Sequence, residues 1–178
     1  AIHLAVAQFE SADNMSDTGA AIRALVNCPV EAAAAPREKA LTEFYTRWSD
    51  EALVIDQWFG MQASCSLPGT LDRVKALMQH EAFTWTNPNR LRSVVVSFAF
   101  QNTVNFHNKD GSGYEYLADC VIELNSLNPQ LAARVLSPLT RWRKYDLERQ
   151  ALMKAQLERI LEQEALSPDV YEIASKSV

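Results

Sequence analysis

Glycine, proline and cysteine are all scarce in this sequence, at 5, 7 and 3 of its 178 residues, and each scarcity removes a class of structure. So little glycine and proline does not fit a low-complexity or disordered chain, and 48% apolar or aromatic residues can build a real core. Cys28, Cys65 and Cys120 are odd in number and widely spaced, so we expect reduced, buried or inert thiols in a reducing compartment rather than a disulfide framework. No stretch approaches the roughly 18 uninterrupted apolar residues of a spanning helix. Ala1-Ile2-His3 lacks the basic segment of a secretion signal and opens in mid-pattern, as if continuing something longer. There is no HExxH, CxxC, GxSxG or dinucleotide fingerprint, and His3, His80 and His107 are too scattered for a local zinc motif. A net charge of -5 with a pI near 5.2 argues against a general nucleic-acid binder, which needs a concentrated basic surface.

What the sequence does contain is helix punctuation. In Asn87-Pro88-Asn89-Arg90-Leu91-Arg92, Asn87 can cap orphan amide hydrogens and Pro88 suits the first helical position, ahead of the apolar run Val94, Val95, Val96, Phe98. The device returns at Asn128-Pro129 and, with serine, at Ser167-Pro168. These starts lie 41 and 39 residues apart, room for two short helices and their turns. The spacing predicts an all-α chain of stacked antiparallel helix pairs, a superhelix of the HEAT or armadillo kind.

The remaining helices follow from period and breakers. Leu4, Val6 and Phe9 are expected to be buried on an opening helix. Asn14 and Asp17 form an approximate capping box for a helix burying Ile22, Leu25 and Val26, and Pro36 opens another through Leu41, Phe44, Tyr45 and Trp48. A strongly apolar helix over Glu51 to Ser64 is expected to pack Leu53, Val54, Trp58 and Met61 on one side. Thr70 is read as the cap of a short helix ending near His80, whose imidazole suits a helix carboxyl end. Gln101 to Gly113 reads as irregular, with a tight turn at Asn108 to Gly113 that matches neither a phosphate loop nor a calcium loop. Tyr114 to Leu124 and Leu147 to Gln163 are further helices, the latter counting Leu147 and Ala151 on its apolar face. Arg141-Trp142-Arg143-Lys144-Tyr145, the densest basic run, is read as a helical junction or an inter-domain contact rather than a nucleic-acid patch.

Two groups of side chains invite a chemical reading. His107 and Asp110 are near enough for a loop hydrogen bond, but no serine or cysteine completes a nucleophile set beside them. Arg90, Arg92 and Arg134 stand three, five and six residues past their caps, near helix starts whose dipole disfavours cations. Such guanidinium groups suit a carboxylate from another element, a peptide terminus or another domain, and packing or internal ion pairs account for them equally well. Gln130 is four residues from Arg134 and can share its face.

Seven ordered segments then carry a family resemblance. Asp13-Asn14-Met15, Leu53 to Phe59, Asn87 to Arg92, Asp110 to Tyr114, Leu124 to Gln130, Pro138 to Trp142 and Tyr171-Glu172 together resemble the end of bacterial aminopeptidase N, the zinc-dependent alanyl aminopeptidases of the M1 family. The resemblance covers almost the whole chain and implies that 1–178 is part of the helical carboxyl-terminal domain, beginning within it. It implies a cytoplasmic hydrolase that removes residues from peptide amino termini, with zinc held in a separate thermolysin-like domain. None of the zinc-binding elements is in this sequence, so the chain alone is expected to hold no metal and to be inactive. By the same resemblance the helical domain caps the active-site chamber and limits access to short peptides. The positions matching the chamber wall are Arg92, Gln130 and Arg134, as positioning groups that attract and orient the peptide's carboxylate or backbone. Its partners would be the remaining domains of the enzyme and its peptides. Two other readings stay open: an independent HEAT-like protein-interaction scaffold, and a hydrolase built on His107.

Overall fold

Helix after helix begins on a residue whose side chain satisfies orphan backbone donors. The structure, a computed structural model, describes residues 1–178. Its helices are α1 (Ile2–Ser11), α2 (Met15–Val26), α3 (Ala34–Trp48), α4 (Ala52–Ala63), α5 (Thr70–Leu77), α6 (Pro88–Leu91), α7 (Thr103–Phe106), α8 (Ser112–Leu127), α9 (Pro129–Val135), α10 (Leu147–Leu161) and α11 (Pro168–Ser175). No strand is present. The Asn87 side chain accepts from the Asn89 and Arg90 amides at 3.0 and 3.2 Å, Asn128 from Leu131 at 3.0 Å, and Ser167 from Val170 at 3.4 Å. The three expected starts are therefore real caps, each followed by proline.

The 40-residue interval reappears in three dimensions. Asn27 Oδ1 accepts from the Ser66 amide, 39 residues on; Asn102 Nδ2 donates to the Cys65 carbonyl oxygen, 37 residues back, at 2.6 Å. Asn125 accepts from the Ser167 amide at 2.9 Å and donates to the Ala165 oxygen at 2.8 Å, 42 and 40 residues on. Arg149 reaches the His107 carbonyl across 42 residues. Side chains at the joints thus bind one helical layer to the next, as expected of a solenoid whose units contact only their neighbours. One apolar core continues through these layers, from Ile22 to Ala174.

Glycine matters where helices touch. A methyl on Gly113 would lie 2.8 Å from the Phe106 Cα, so the start of α8 can cross the end of α7 only without a side chain there.

Several expectations are corrected. Leu4, Leu53 and Leu147 are 77, 72 and 82% exposed, and Ala151 is exposed too. The leucines sit in first turns, and periodicity gives an angle around the helix without saying whether a neighbour extends that far. Thr70 is not the cap of α5. Gly69 takes the corner at φ +80, and the Thr70 hydroxyl donates back to the Leu67 oxygen at 2.7 Å. Within the stretch read as irregular, Asn102 caps α7, which is too short for periodicity to reveal. His80 does not serve a helix terminus: its Nδ1 accepts from the Ala82 amide, and its ring packs against Tyr45, Trp58 and Phe59. Arg141 to Tyr145 is an internal junction, a 3-10 turn over Leu139–Lys144, where Trp142 Nε1 and Arg143 hold the Ser177 oxygen at 2.8 and 2.9 Å.

The largest surprise follows α6. Arg92–Gln101 is a π-helix, with i→i+5 bonding sustained over ten residues. Such runs are rare and are associated with functional sites. Three successive β-branched residues, Val94 to Val96, weaken the α-helical alternative. This wider helix packs against α4 and carries Arg92, Val96 and Phe100 along one side.

Candidate functional site

The cap at Asn87 fixes α6 and so sets the direction of both arginines that follow. Arg90 turns inward. Its Nε donates to Asp56 Oδ1 at 2.6 Å, its Nη1 to the Ala82 carbonyl and its Nη2 to the Ala52 carbonyl at 3.4 Å, with the guanidinium 5.1 Å above the Phe59 ring. Its side chain is only 9% exposed. Here the expected carboxylate from another element is present, and it belongs to α4 of the same chain.

Arg92 turns outward, into a groove of about 610 Å³ between the π-helix, α9 and α11. Val96, Phe100, Leu131 and Ile173 supply apolar lining, and Arg134 joins Arg92 as the second cation. No aspartate or glutamate lines the groove. Both arginines are exposed, and neither forms an ion pair or side-chain hydrogen bond within the chain. The structure therefore brings Arg92 and Arg134 to one groove but leaves Gln130 off its lining. Gln130 is exposed in the first turn of α9, one turn from Arg134. One premise needs correcting: α9 ends at Val135, so Arg134 occupies its last turn, where the dipole favours a cation.

Sequence reasoning did not find Phe100 or Ile173. They are 43 and 39% exposed over the groove. Nothing in an apolar run distinguishes a residue packed under a neighbour from one left as the floor of a cleft.

His107 is a joint rather than a catalyst. Its Nδ1 lies 2.8 Å from the Tyr114 hydroxyl and its Nε2 3.1 Å from the Tyr145 hydroxyl, with the imidazole stacked 4.4 Å from the Tyr145 ring. Burial, then the nearby Arg149 charge, pushes its pKa below the ordinary 6.5. Burial likewise pushes Tyr114 up to about 12. Asp110, the partner expected for His107, instead accepts from the Ser112 amide and hydroxyl at 2.9 and 2.7 Å, which holds its carboxyl below the usual range. With both ring nitrogens on tyrosines and no carboxylate or nucleophile bonded to it, His107 lacks the arrangement of a hydrolase.

Three or more His, Cys, Asp or Glu side chains nowhere come together to hold a metal ion, so these residues do not fit a zinc site. The cysteines are unpaired; Cys65 and Cys120 are buried, and burial raises the Cys120 thiol to about 12. No helix is long and apolar enough to cross a membrane.

Comparison with known proteins places this scaffold. A family model described as a domain of unknown function (DUF3458_C) with ARM repeats matches residues 1–178. Aminopeptidase N of Haemophilus influenzae is 43% identical over 170 residues, that of Escherichia coli 42% over 171, and that of Caulobacter vibrioides 44% over 170. Each alignment covers 96% of this chain, which spans about a fifth (19%) of the relatives' length. A crystal structure of Legionella pneumophila aminopeptidase A in complex with aspartic acid superposes with a TM-score of 0.90 at 35% identity, covering 99% of this chain and 20% of that one. The all-helical fold and the aminopeptidase resemblance read from the sequence are borne out, and the chain belongs to the DUF3458_C family of ARM-repeat domains, with relatives among the aminopeptidases N.

Proposed function

We propose that this chain is a non-catalytic module of a cytoplasmic, zinc-dependent aminopeptidase of the M1 family, capping its active-site chamber and governing the access of short peptides. The observation that supports this reading is the pairing of Arg92 and Arg134 in one acid-free groove. A guanidinium without an internal partner retains its donors for a ligand, and an apolar floor strengthens each charge-assisted bond by displacing water. Gln130, one turn from Arg134 on α9 and off the groove's lining, is the third positioning residue assigned to the chamber wall. The zinc and the groups that activate water belong to another domain, and the arginines here attract and orient the peptide without giving or taking a proton. The partners of the module are the remaining domains of the enzyme.

The test uses the complete aminopeptidase. Arg92→Ala and Arg134→Ala should each lower kcat/KM for short peptides about tenfold, the equivalent of one lost charge-assisted hydrogen bond, with zinc content unchanged. Kinetics equal to the parent enzyme would remove both residues from the chamber wall.

A further inference from the structure

The four methionines meet solvent unequally: Met61 and Met153 are 3 and 0% exposed, whereas Met15 and Met78 are only partly covered. Met78, the residue that ends α5, also touches a hydrogen-bond donor. The Tyr116 hydroxyl, on α8, donates to its Sδ at 3.0 Å. Tyr116 is 4% exposed, and its ring packs edge-on against Phe98 of the π-helix at 5.3 Å, so the contact joins three elements. A phenol has one proton to donate, and here it goes to a thioether, a weak acceptor. A sulfoxide oxygen, polar where the thioether is not, accepts more strongly.

We propose that Met78 is a modification site for peroxides, at which the Tyr116 hydroxyl selects the face of the sulfur that is oxidised and then holds the new oxygen. The thioether has two lone pairs, and the hydroxyl occupies one of them, leaving the other for the oxidant. As an S–O bond forms there, the O–O bond of the peroxide breaks and the sulfur gives up two electrons. The proton on the transferred oxygen passes to the departing hydroxide, which leaves as water. Rotation about the terminal bonds of this unbranched side chain turns the sulfoxide oxygen onto the Tyr116 hydroxyl. The joint between α5 and α8 thereby keeps its hydrogen bond, where a methionine oxidised within a packed core ordinarily disrupts its surroundings. This inference is independent of the chamber-facing reading above.

The test is limited treatment of the folded chain with hydrogen peroxide, followed by digestion and peptide mass spectrometry. Met78 should gain one oxygen about tenfold faster than Met61 and Met153. The two sulfoxide epimers are distinguished by digesting the oxidised chain and applying methionine sulfoxide reductases, each specific for one epimer. One reductase should restore most of the Met78 sulfoxide of the parent, while in Tyr116→Phe each should restore about half. Oxidation should leave the urea midpoint of a Met15→Leu chain unchanged and lower that of Met15→Leu/Tyr116→Phe. Oxidation of Met78 no faster than that of Met61 and Met153 overturns the proposal. So do equal amounts of the two epimers in the parent, or a midpoint that falls as far with the Tyr116 hydroxyl as without it. The epimer ratio of the parent needs no variant, so it decides the matter even if Tyr116→Phe folds poorly.

Discussion

Arg90 and Arg92 stand two residues apart on one continuous helical stretch, yet they belong to different regions of the molecule. Arg90 closes a joint: Asp56, two backbone carbonyls and the Phe59 face surround a guanidinium that is almost out of water. Arg92 stands over a groove, exposed and without an internal partner. In the joints of the solenoid, polar side chains direct their hydrogen bonds into the chain, as Asn102, Asn125 and His107 also do. In the groove that capacity remains open. Residue type does not separate a structural arginine from one available to a ligand; what separates them is whether a neighbouring layer supplies the acceptors.

Removing Arg90 tests the first half of the contrast and should have the largest effect. Arg90→Ala leaves Asp56 with its charge in a poorly hydrated joint and strips donors from the Ala82 and Ala52 carbonyls. Breaking one side of such a buried pair costs roughly 3–5 kcal/mol. Urea unfolding of the chain should show that loss as a lower midpoint. A midpoint shifted by less than the equivalent of about 1 kcal/mol would mean that water enters the joint freely, and that Arg90 and Arg92 differ less than their surroundings suggest.

The His107 joint should give a smaller effect, and one that depends on pH. Its pKa is lowered in the folded chain, so the unfolded chain binds the proton first as pH falls through about 6.5. Stability should be highest above that value, decline as the pH drops towards the folded pKa, and level off below it. Arg149, Asp146, Tyr114 and Tyr145 are the charged or titratable groups around the ring. Tyr114 titrates far above this window, and Arg149 holds the Asp146 carboxyl below its usual range. Unfolding midpoints between pH 8 and 5 should therefore fall for the parent chain and change less for His107→Gln. A parent chain that gains stability on acidification would show that the imidazole is charged in the joint.

Much of the joint architecture was legible in the sequence, because caps are local chemistry. Asn87, Asn128 and Ser167 announce themselves by the proline that follows, and their spacing of about 40 residues is the spacing of the layers. The groove was legible only in part. Its two arginines stood out, but the argument from the helix dipole fails for Arg134, because α9 is only seven residues long and a position six past its cap is already in its last turn. The π-helix was invisible, since i→i+5 and i→i+4 bonding place apolar residues at similar intervals over ten residues. Phe100 and Ile173 were hidden for another reason: whether an apolar side chain is covered depends on a partner some 40 to 70 residues away in sequence.

The smallest effect is the one that separates the two regions most sharply. Arg92→Ala and Arg134→Ala each remove an exposed side chain that makes no bond within the chain, so no buried acceptor is orphaned and no cavity opens in the core. Surface substitutions of this kind ordinarily fall within about 0.5 kcal/mol. The free arginines also lie near each other in a groove with no opposite charge, so removing one relieves some repulsion and offsets part of the lost aliphatic packing. Urea midpoints of both variants should therefore match the parent within error, while Arg90→Ala, two residues from Arg92, unfolds early. A destabilisation of Arg92→Ala comparable to that of Arg90→Ala would mean that Arg92 is held by the fold, and the groove would lose its claim to a ligand.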